Sequence, residues 1–204
     1  MTTLMGKVTP AQQDVLKEVC NIGAGSAATS LAEMLRCKIT MTVPGVRVMP
    51  LTQIADTVGG PEKKVVGIYQ RALGEAPCNI LFLIATESAL PLLDIILNRS
   101  FGTTSTLDDL GMSAIQEVGN IVSGSFMNAL HQFTQIKFTP TVPAVAVDMV
   151  GAMLNTVLYQ YGFEGDLALI IETEFTAQDQ RISGNFFLFP DPGPLNKILK
   201  SLGV

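Results

Sequence analysis

The sequence predicts an α+β fold with internal pseudo-two-fold symmetry, in which an antiparallel β-sheet packs against two long helices that carry the same motif. A stretch with helical periodicity at residues 14–26 recurs at residues 113–125. Each copy is followed by short β-branched segments with the alternation typical of strands. The chain has 204 residues, of which 48% are hydrophobic, so it can bury a substantial core.

The two copies share polar residues at the same spacing. The first reads DVLKEVCNIGAGS and the second reads SAIQEVGNIVSGS. In each copy a proline follows the asparagine after 22 intervening residues, from Asn21 to Pro44 and from Asn120 to Pro143. The common pattern is Asp/Ser-x3-Glu-x2-Asn-x22-Pro. A solvated helix face is the ordinary alternative, but such a face has no physical reason to repeat Glu and Asn while the neighbouring residues change.

The helical period places the motif residues on one side of each helix. At about 100° per residue they form one narrow stripe, which holds Asp14, Glu18, Asn21 and Gly25 in the first copy and Ser113, Glu117, Asn120 and Gly124 in the second. The opposite, apolar stripe is predicted to be buried and holds Leu16, Cys20, Gly23, Ala27, Leu31 and Met34, or Ile115, Gly119, Val122, Phe126, Leu130 and Phe133. Glycine within a helix costs about 1 kcal/mol relative to alanine, so its place in the polar stripe suggests that a partner approaches closely there.

The remaining elements follow in order along the chain. The long helices are predicted from Pro10, with Thr9 as N-cap, to about residue 36, and from residues 107–108 to about residue 135. Strands are predicted at residues 37–48, with a break at Pro44, and at residues 64–71, 79–85, 136–147, 154–161, 166–175 and 182–189. Shorter helices are predicted at residues 51–58, 87–98 and 195–202. We therefore expect residues 1–204 to form one domain of two repeats, at about 10–98 and 107–204, with Pro44 and Pro143 as strand-edge or bend residues.

Composition and charge exclude several classes of function. The net charge is −5 and the basic residues are scattered, which argues against a nucleic-acid surface. No apolar run is long enough to cross a bilayer, and the N-terminus lacks the pattern of a signal peptide, so no membrane insertion is expected. Three cysteines without CxxC spacing predict reduced thiols and a cytoplasmic location.

The usual catalytic constellations are absent from the sequence. The single histidine, His131, lies about 16 Å along the helix from Asn120, too far to act with it on one small substrate. No cluster has the spacing of metal ligands, so no metal site is expected. The glycines at residues 23 and 25 lie inside a helical pattern, which favours close packing over a phosphate-binding loop. Cys20 has no neighbouring base that could activate it as a nucleophile.

An acid and an amide three residues apart do not make a complete active site, but they suffice if the substrate supplies the rest. An asparagine can hold a water in line with a phosphorus atom. A glutamate can anchor a lysine of a protein substrate. A protein that carries an aspartyl phosphate, its own metal ion and its own lysine fits this division of labour.

The doubled motif resembles that of the CheC/CheX/FliY family of chemotaxis phosphatases, and the resemblance covers essentially the whole chain. It implies an enzyme that hydrolyses the aspartyl phosphate of the response regulator CheY. By this resemblance Glu18 and Glu117 contact the regulator's lysine, whereas Asn21 and Asn120 orient the attacking water. The first motif position, Asp14 or Ser113, accepts either residue. The chain would need no cofactor of its own, and Mg²⁺ would belong to the phosphorylated regulator.

The resemblance also implies a second partner, the receptor deamidase CheD. Residues 147–152 resemble the segment that family members use for that contact, with Asp148 as its polar anchor, although Asp148 could equally be a strand-end cap. Two rival functions remain open: a non-enzymatic adaptor like the middle domain of FliM, and a CheD-binding regulator with weak hydrolysis. The FliM domain lacks the Glu-x2-Asn pair, so two such pairs favour the enzyme. One departure is Cys20, which stands where the second copy has Gly119 and predicts less close packing of the first helix at that turn.

Overall fold

Two helices of 26 residues, α1 (Pro10–Leu35) and α4 (Asp109–Thr134), pack against each other and against one face of an antiparallel sheet. The computed structural model describes residues 9–160, 167–177, 180–191 and 193–203. Shorter helices are α2 (Ile54–Thr57), which follows a 3-10 turn at Leu51–Gln53, α3 (Thr86–Ile96), α5 (Val150–Gln160) and α6 (Pro194–Ser201). The predicted α+β class is confirmed.

Within the described residues the sheet has eight strands, and each of their pairings is antiparallel. The strands are β1 (Ile39–Thr42), β2 (Val46–Pro50), β3 (Lys64–Gly74), β4 (Cys78–Ala85), β5 (Phe138–Pro140), β6 (Ala144–Met149), β7 (Leu167–Ala177) and β8 (Gln180–Pro190). The order is β1-β7-β8-β4-β3-β5, with β2 also on β7 and β6 also on β3. Each outer edge is therefore one strand interrupted near the motif proline.

Capping residues fix the N-terminal starts of the two long helices. The N–H of Gln12 donates to Thr9 Oγ1 at 3.2 Å, and the N–H of Thr9 donates to Gln12 Oε1 at 2.8 Å. At the start of α4 the N–H of Gly111 donates to Asp108 Oδ1 at 2.7 Å. These bonds satisfy backbone donors that have no partner within a helix. The predicted start of α1, with Thr9 as its N-cap, is confirmed.

The sheet is buried on both faces, which explains its nearly continuous apolar strands. Alternate residues of β4 point to opposite sides. Ile80, Phe82 and Ile84 pack in the cluster beneath α1 and α4. Leu81 and Leu83 join a second cluster on the other face, with apolar side chains of α2 and α5.

Two glycines allow the motif helices to pack closely. A Cβ added to Gly23 would lie 2.9 Å from Phe126 Cδ1, so α1 and α4 touch at that point. A Cβ added to Gly119 would lie 2.5 Å from Ile68 Cγ2, so α4 lies directly on β3. The close packing predicted at Gly23 is confirmed, but the same prediction is wrong for Gly25, where an added Cβ would meet no described atom within 4 Å. Cys20, the equivalent of Gly119, presents a buried side chain instead.

The strand predicted at residues 154–161 is wrong, because residues 150–160 form α5; residue 161 lies outside the described residues. The segment contains β-branched and aromatic residues, which suggested a strand. Its buried residues Val150, Met153, Leu154 and Val157 are instead spaced as i, i+3, i+4 and i+7, which is the spacing of a helix face.

Burial of the apolar stripes stops one turn earlier than predicted. Met34 is 39% exposed and its equivalent, Phe133, is 44% exposed. Both lie in the last turn of their helices, beyond the buried Leu31 and Leu130. The prediction that these two residues belong to the core is therefore wrong, and each helix ends with an uncovered apolar side chain.

The described elements occur in the same order in both halves. A long helix is followed by two short edge strands, a hairpin and a shorter helix. The bounds of α1 and α4 differ by 99 residues, as do the starts of β1 and β5. The second half has the longer insertion, because α5 stands where the first half has the single turn of α2. Among the helices described, none is both long and apolar enough to cross a membrane.

Candidate functional site

The acidic residues of both motif stripes are accessible to a partner. Asp14, Glu18 and Glu117 are exposed, as is Ser113. Neither glutamate forms an ion pair or a hydrogen bond with another residue in the described part of the chain. Their carboxylates are therefore available to a cation brought by a partner.

The stripe glycines leave the helix backbone bare. A Cβ added to Gly25 or to Gly124 would meet no atom of the described residues within 4 Å. Neither position needs glycine for packing within the chain, in contrast to Gly23 and Gly119. Glycine here removes side-chain bulk beside the glutamate and the asparagine, so a partner's atoms can come near the helix axis.

The second motif opens into a shallow cavity of about 400 Å³. Its lining brings together three predicted residues of the helix stripe, the motif proline and four residues that sequence reasoning did not assign to the site. These are Ser113, Glu117, Asn120 and Pro143, with Gln116, Pro140, Thr141 and Val142. The Asn120 side chain is exposed and makes no hydrogen bond to any residue that the structure describes. The cavity could thus admit a phosphoryl-sized group beside an unoccupied carboxamide.

Neighbouring side chains hold the wall of this cavity opposite α4. Gln116 Nε2 donates to the carbonyl of Pro143 at 2.7 Å. From β3, Gln70 Nε2 donates to the carbonyl of Thr141, and Arg71 N–H donates to Thr141 Oγ1 at 3.1 Å. Thr141 N–H in turn donates to the carbonyl of Arg71 at 2.8 Å. The segment beside Asn120 is therefore fixed from both the helix and the sheet.

The first motif is arranged differently. Asn21 is half-buried, and its Oδ1 accepts a hydrogen bond from the N–H of Val43 at 3.0 Å. The cavity on this side, about 590 Å³, lies further along α1 and is lined by Gly25 but by neither Glu18 nor Asn21. The prediction that Asn21 lies on a fully exposed stripe is thus only partly right, because its oxygen binds the edge strand.

The edge strands bulge at the motif prolines. Val43 and Pro44 lie between Thr42, which pairs with Glu174, and Gly45, whose carbonyl accepts from the N–H of Glu172 at 3.0 Å. Two residues therefore stand opposite the single Thr173, which is a β-bulge. Val142 and Pro143 stand opposite Gln70 in the same way. Pro44 and Pro143 each lie in a bulge of an edge strand.

Both motif prolines end the same tripeptide, Thr-Val-Pro. The valine and the proline of this tripeptide have opposite burial in the two copies. Val43 is 2% exposed and Val142 is 81% exposed. Pro44 is exposed and Pro143 is buried. The repeated tripeptide is the signal from which the sequence could have assigned Thr141 and Val142 to the site.

The remaining candidate groups do not form a catalytic centre of their own. Burial raises the pKa of the Cys20 thiol to about 12, so it stays protonated at neutral pH. His131 donates from Nδ1 to the carbonyl of Ile136 at 2.9 Å and so ties the segment after α4 back to the helix. Among the residues described, no group of three or more His, Cys, Asp or Glu side chains could hold a metal ion.

Asp148 lies apart from both motif cavities. It is exposed, near the end of β6, where its Oδ1 accepts from the N–H of Met149 at 2.8 Å. This local bond agrees with a role as a strand-end cap. The second carboxylate oxygen has no partner among the described residues, so the bond does not prevent contact with a partner protein.

Comparison with known proteins identifies the family. A sequence model of the CheC-like family matches residues 12–47 and residues 110–147, which contain the two motifs. The CheY-P phosphatase CheC of Bacillus subtilis (strain 168) is 30% identical over 206 residues, covering 99% of this chain and 99% of that protein. The chain belongs to the CheC-like family.

Solved structures share the fold of this CheC-like protein. The FliY structure of Thermotoga maritima has a TM-score of 0.78 at 19% identity, covering 96% of this chain and 97% of that one. The FliM middle domain of H. pylori has a TM-score of 0.71 at 13% identity, covering 95% and 99%. A chain of the CheX–CheY–BeF3–Mg²⁺ complex of Borrelia burgdorferi has a TM-score of 0.51 at 22% identity, covering 83% and 95%. At these identities the likeness concerns the fold.

Proposed function

We propose that this CheC-like protein is a phosphatase that hydrolyses the aspartyl phosphate of a CheY-type response regulator. The observation that carries the proposal is the exposed Glu117–Asn120 pair, which lines a cavity that has room for a phosphoryl group. A relative that is 30% identical over 99% of this chain is named as a CheY-P phosphatase. The first motif offers the same residue types on α1, with Glu18 exposed and Asn21 half-buried.

In this reaction a water oxygen attacks the phosphorus, and the bond from phosphorus to the aspartyl oxygen breaks. The aspartate leaves as a carboxylate, and inorganic phosphate is released carrying the oxygen and the protons of the water. The carboxamide of Asn120 accepts a hydrogen bond from the water through Oδ1 and donates one through Nδ2, which fixes the water in line with the breaking bond. Asparagine is not a base, so its contribution is orientation. Asn21 offers the same type of side chain in the first copy, with its Oδ1 bound to the N–H of Val43.

The substrate supplies the charge stabilisation. A CheY partner is consistent with the fold likeness to the complex of CheX with CheY, BeF3 and Mg²⁺. Mg²⁺ and the regulator's lysine neutralise the phosphoryl oxygens, as cations do in other phosphoryl transfers. Glu18 and Glu117 bind that lysine and set the position of the regulator. The bare backbone at Gly25 and Gly124 admits the regulator's surface, and Asp14 and Ser113 complete the docking face of each helix.

A second candidate function is that of a non-enzymatic adaptor. The fold likeness to the FliM middle domain, with a TM-score of 0.71, is the observation in its favour. An adaptor needs a docking surface, but binding alone does not require a carboxamide that lines a cavity and bonds to no described residue. Asn120 therefore favours the enzyme.

We also propose CheD as a further partner, with Asp148 as its polar contact at the end of β6. The free carboxylate oxygen of Asp148 and the exposed side chain of Met149 beside it support this assignment. Neither Asp148 nor Met149 is among the residues that line the motif cavities, so this contact is distinct from the proposed phosphatase site.

The chain is best described as one domain of two repeats, at about residues 10–98 and 107–204. The two family matches and the equal order of elements support this division. The three free cysteines support a cytoplasmic location.

Phosphate release from CheY labelled with acetyl phosphate tests the function. The wild-type protein should accelerate the decay, and the double variant Asn21→Ala/Asn120→Ala should return it to nearly the intrinsic rate of CheY. Positioning effects are worth up to several kcal/mol of barrier, so the loss should be large. The double variant should still bind CheY activated with BeF3, because the glutamates and the bare backbone remain. Undiminished turnover by a folded double variant would contradict the proposed role of the asparagines and favour the adaptor.

A further inference from the structure

The two motifs carry the same residues but show two different states of the asparagine. Asn21 Oδ1 is bound to the N–H of Val43 at 3.0 Å. In the second copy the equivalent bond would join Val142 N–H to Asn120, and it does not form in the described part of the chain. In this copy the neighbouring carbonyl of Thr141 accepts a hydrogen bond from Gln70 Nε2.

We propose that the two halves are unequal: the second half carries the working site, and Asn21 is a positioning residue that holds the bend at Thr42–Pro44. The proposal rests on the proposed function, since it names which copy of that site turns over the regulator. It assigns Gln116 and Val142 to the working site as well.

The bond to Val43 limits what Asn21 can do. Asn21 could orient a water in one of two ways. It could keep its hydrogen bond to the N–H of Val43 and use the second lone pair of Oδ1 together with Nδ2, or it could break the bond to Val43 and turn its carboxamide toward the water. Breaking this bond would leave the half-buried N–H of Val43 without a hydrogen-bond partner, which is unfavourable. The competent orientation of Asn21 is therefore the less populated one, and a partner must supply the difference in free energy.

The second site lacks this restraint and offers an additional contact. Val142 is 81% exposed at the rim of the cavity that Asn120 and Glu117 line. A single exposed valine is ordinary, but this one lies beside the residues that would meet the substrate and is buried in the other copy. Docking of the regulator would cover its side chain. The first copy lacks this apolar contact, because Val43 is already in the core.

Substitutions between the repeats account for the difference. Gln116, which binds the carbonyl of Pro143, is replaced by Lys17 in the first copy. Gln70, which binds the carbonyl of Thr141, stands at the position that Thr173 occupies in β7. Thr173 Oγ1 donates to the carbonyl of Gly184 at 2.9 Å instead of to the edge strand. The outward arrangement of Val142 is thus fixed by Gln116 of α4 and Gln70 of β3, whose counterparts Lys17 and Thr173 do not make these bonds to the first motif segment in the described residues.

Single variants at the two asparagines, made in the full chain, test the proposal. Asn120→Ala should reduce CheY-P turnover by roughly fivefold or more and leave the melting temperature within about 1 °C. Asn21→Ala should reduce turnover by less than about twofold and lower the melting temperature by about 2–4 °C, because it strands the N–H of Val43. Asn21→Asp keeps an acceptor oxygen and should restore most of that melting temperature, whereas Asn120→Asp should be as inactive as Asn120→Ala.

Val142 gives a second and independent test. Val142→Ser should raise the KM for phosphorylated CheY about threefold or more without a change in melting temperature. The matched change Val43→Ser should lower the melting temperature, because that side chain is buried. Equal losses of turnover in the two Asn→Ala variants, or an unchanged melting temperature in Asn21→Ala, would overturn the proposal that the two halves are unequal. Neither result would contradict the proposed phosphatase function. A wild-type protein without phosphatase activity would overturn both.

Discussion

Asp94 Oδ2 accepts a hydrogen bond from the N–H of Gly102 at 2.7 Å, which ties α3 to the segment that leads into α4. The Asp94 side chain is almost fully buried and also accepts from the N–H groups of Thr103 and Thr104. This single carboxylate therefore fixes the segment between the two halves.

The first prediction concerns acid stability. Hydrogen bonds from Thr104, and then from Gly102 and Thr103, hold the pKa of Asp94 below its ordinary value of 3.8. A lowered pKa in the folded state adds stability above the unfolded pKa, and this contribution is lost as pH falls through the folded pKa. Urea unfolding should therefore show Asp94→Asn less stable than wild type at pH 7, with a gap that narrows below about pH 4. The exposed Glu62→Gln is the control, and a gap independent of pH would contradict the prediction.

The second prediction uses two glycines of α4 that lie five residues apart. Gly124→Ala should raise the free energy of unfolding by about 0.5–1 kcal/mol, because alanine favours the helix and its methyl group meets open space. Gly119→Ala should lower it by about 1–3 kcal/mol, because its methyl group would lie 2.5 Å from Ile68 Cγ2. Chemical denaturation of the two variants measures both effects. Destabilisation of equal size would mean that Gly124 also serves packing.

A larger side chain at the same open position tests docking. Gly124→Gln should keep the stability gain of a good helix former, since a Cβ at this position of the polar stripe meets no described atom within 4 Å. It should weaken binding of BeF3-activated CheY, because it fills the space beside Asn120 and Glu117. Titration of labelled CheY measures the dissociation constant, with Gly124→Ala as the matched control. Unchanged affinity would show that the regulator does not approach the helix there.

The fourth prediction concerns the glutamates. Glu18→Ala/Glu117→Ala should weaken docking by only about 0.2–1 kcal/mol for each ion pair, because both carboxylates are exposed. The loss in turnover should be larger than the loss in affinity, since the bound lysine also positions the phosphate. Binding and phosphate release should be measured on the same preparation, beside the exposed Glu62→Ala. Wild-type turnover in the double variant would remove the glutamates from the mechanism.

The fifth prediction separates the two partners. Asp148→Lys should abolish CheD binding and leave CheY-P turnover intact, because Asp148 does not line either motif cavity. A pull-down with CheD and the phosphate-release assay give the two readouts. Loss of both functions together with a lower melting temperature would indicate that Asp148 serves only as the strand-end cap.

The spacing of apolar residues along the sequence predicts most of the fold, because most helices and strands bury one face at a regular interval. Both long helices carry a polar and an apolar stripe, and their N-terminal caps are formed by neighbours in sequence, as at Thr9. The helix α5 was missed because β-branched residues outweighed its buried spacing. Met34 and Phe133 were misplaced because an angle on a helix wheel does not show where the covering layer ends.

The polar stripe of the site could be predicted from the helical period, but the wall facing it could not. Thr-Val-Pro is identical in both copies, so nothing in the tripeptide distinguishes the buried Val43 from the exposed Val142. The difference is made by Gln116 on the helix and Gln70 on β3, the latter 71 residues away in sequence from its partner Thr141. Contacts over that separation depend on the sheet order, which local patterns do not specify.

The bulges at Pro44 and Pro143 have a consequence for how copies of this protein behave in a crowded solution. They interrupt β1–β2 and β5–β6, the two strands that bound the sheet. A sheet boundary with a continuous row of unpaired N–H and C=O groups can recruit a strand from another molecule, which is a route to aggregation. Proline has no N–H to offer, and a bulge bends the strand out of register. The residues that shape the cavity wall thus also keep both margins of the sheet from extending into a neighbour.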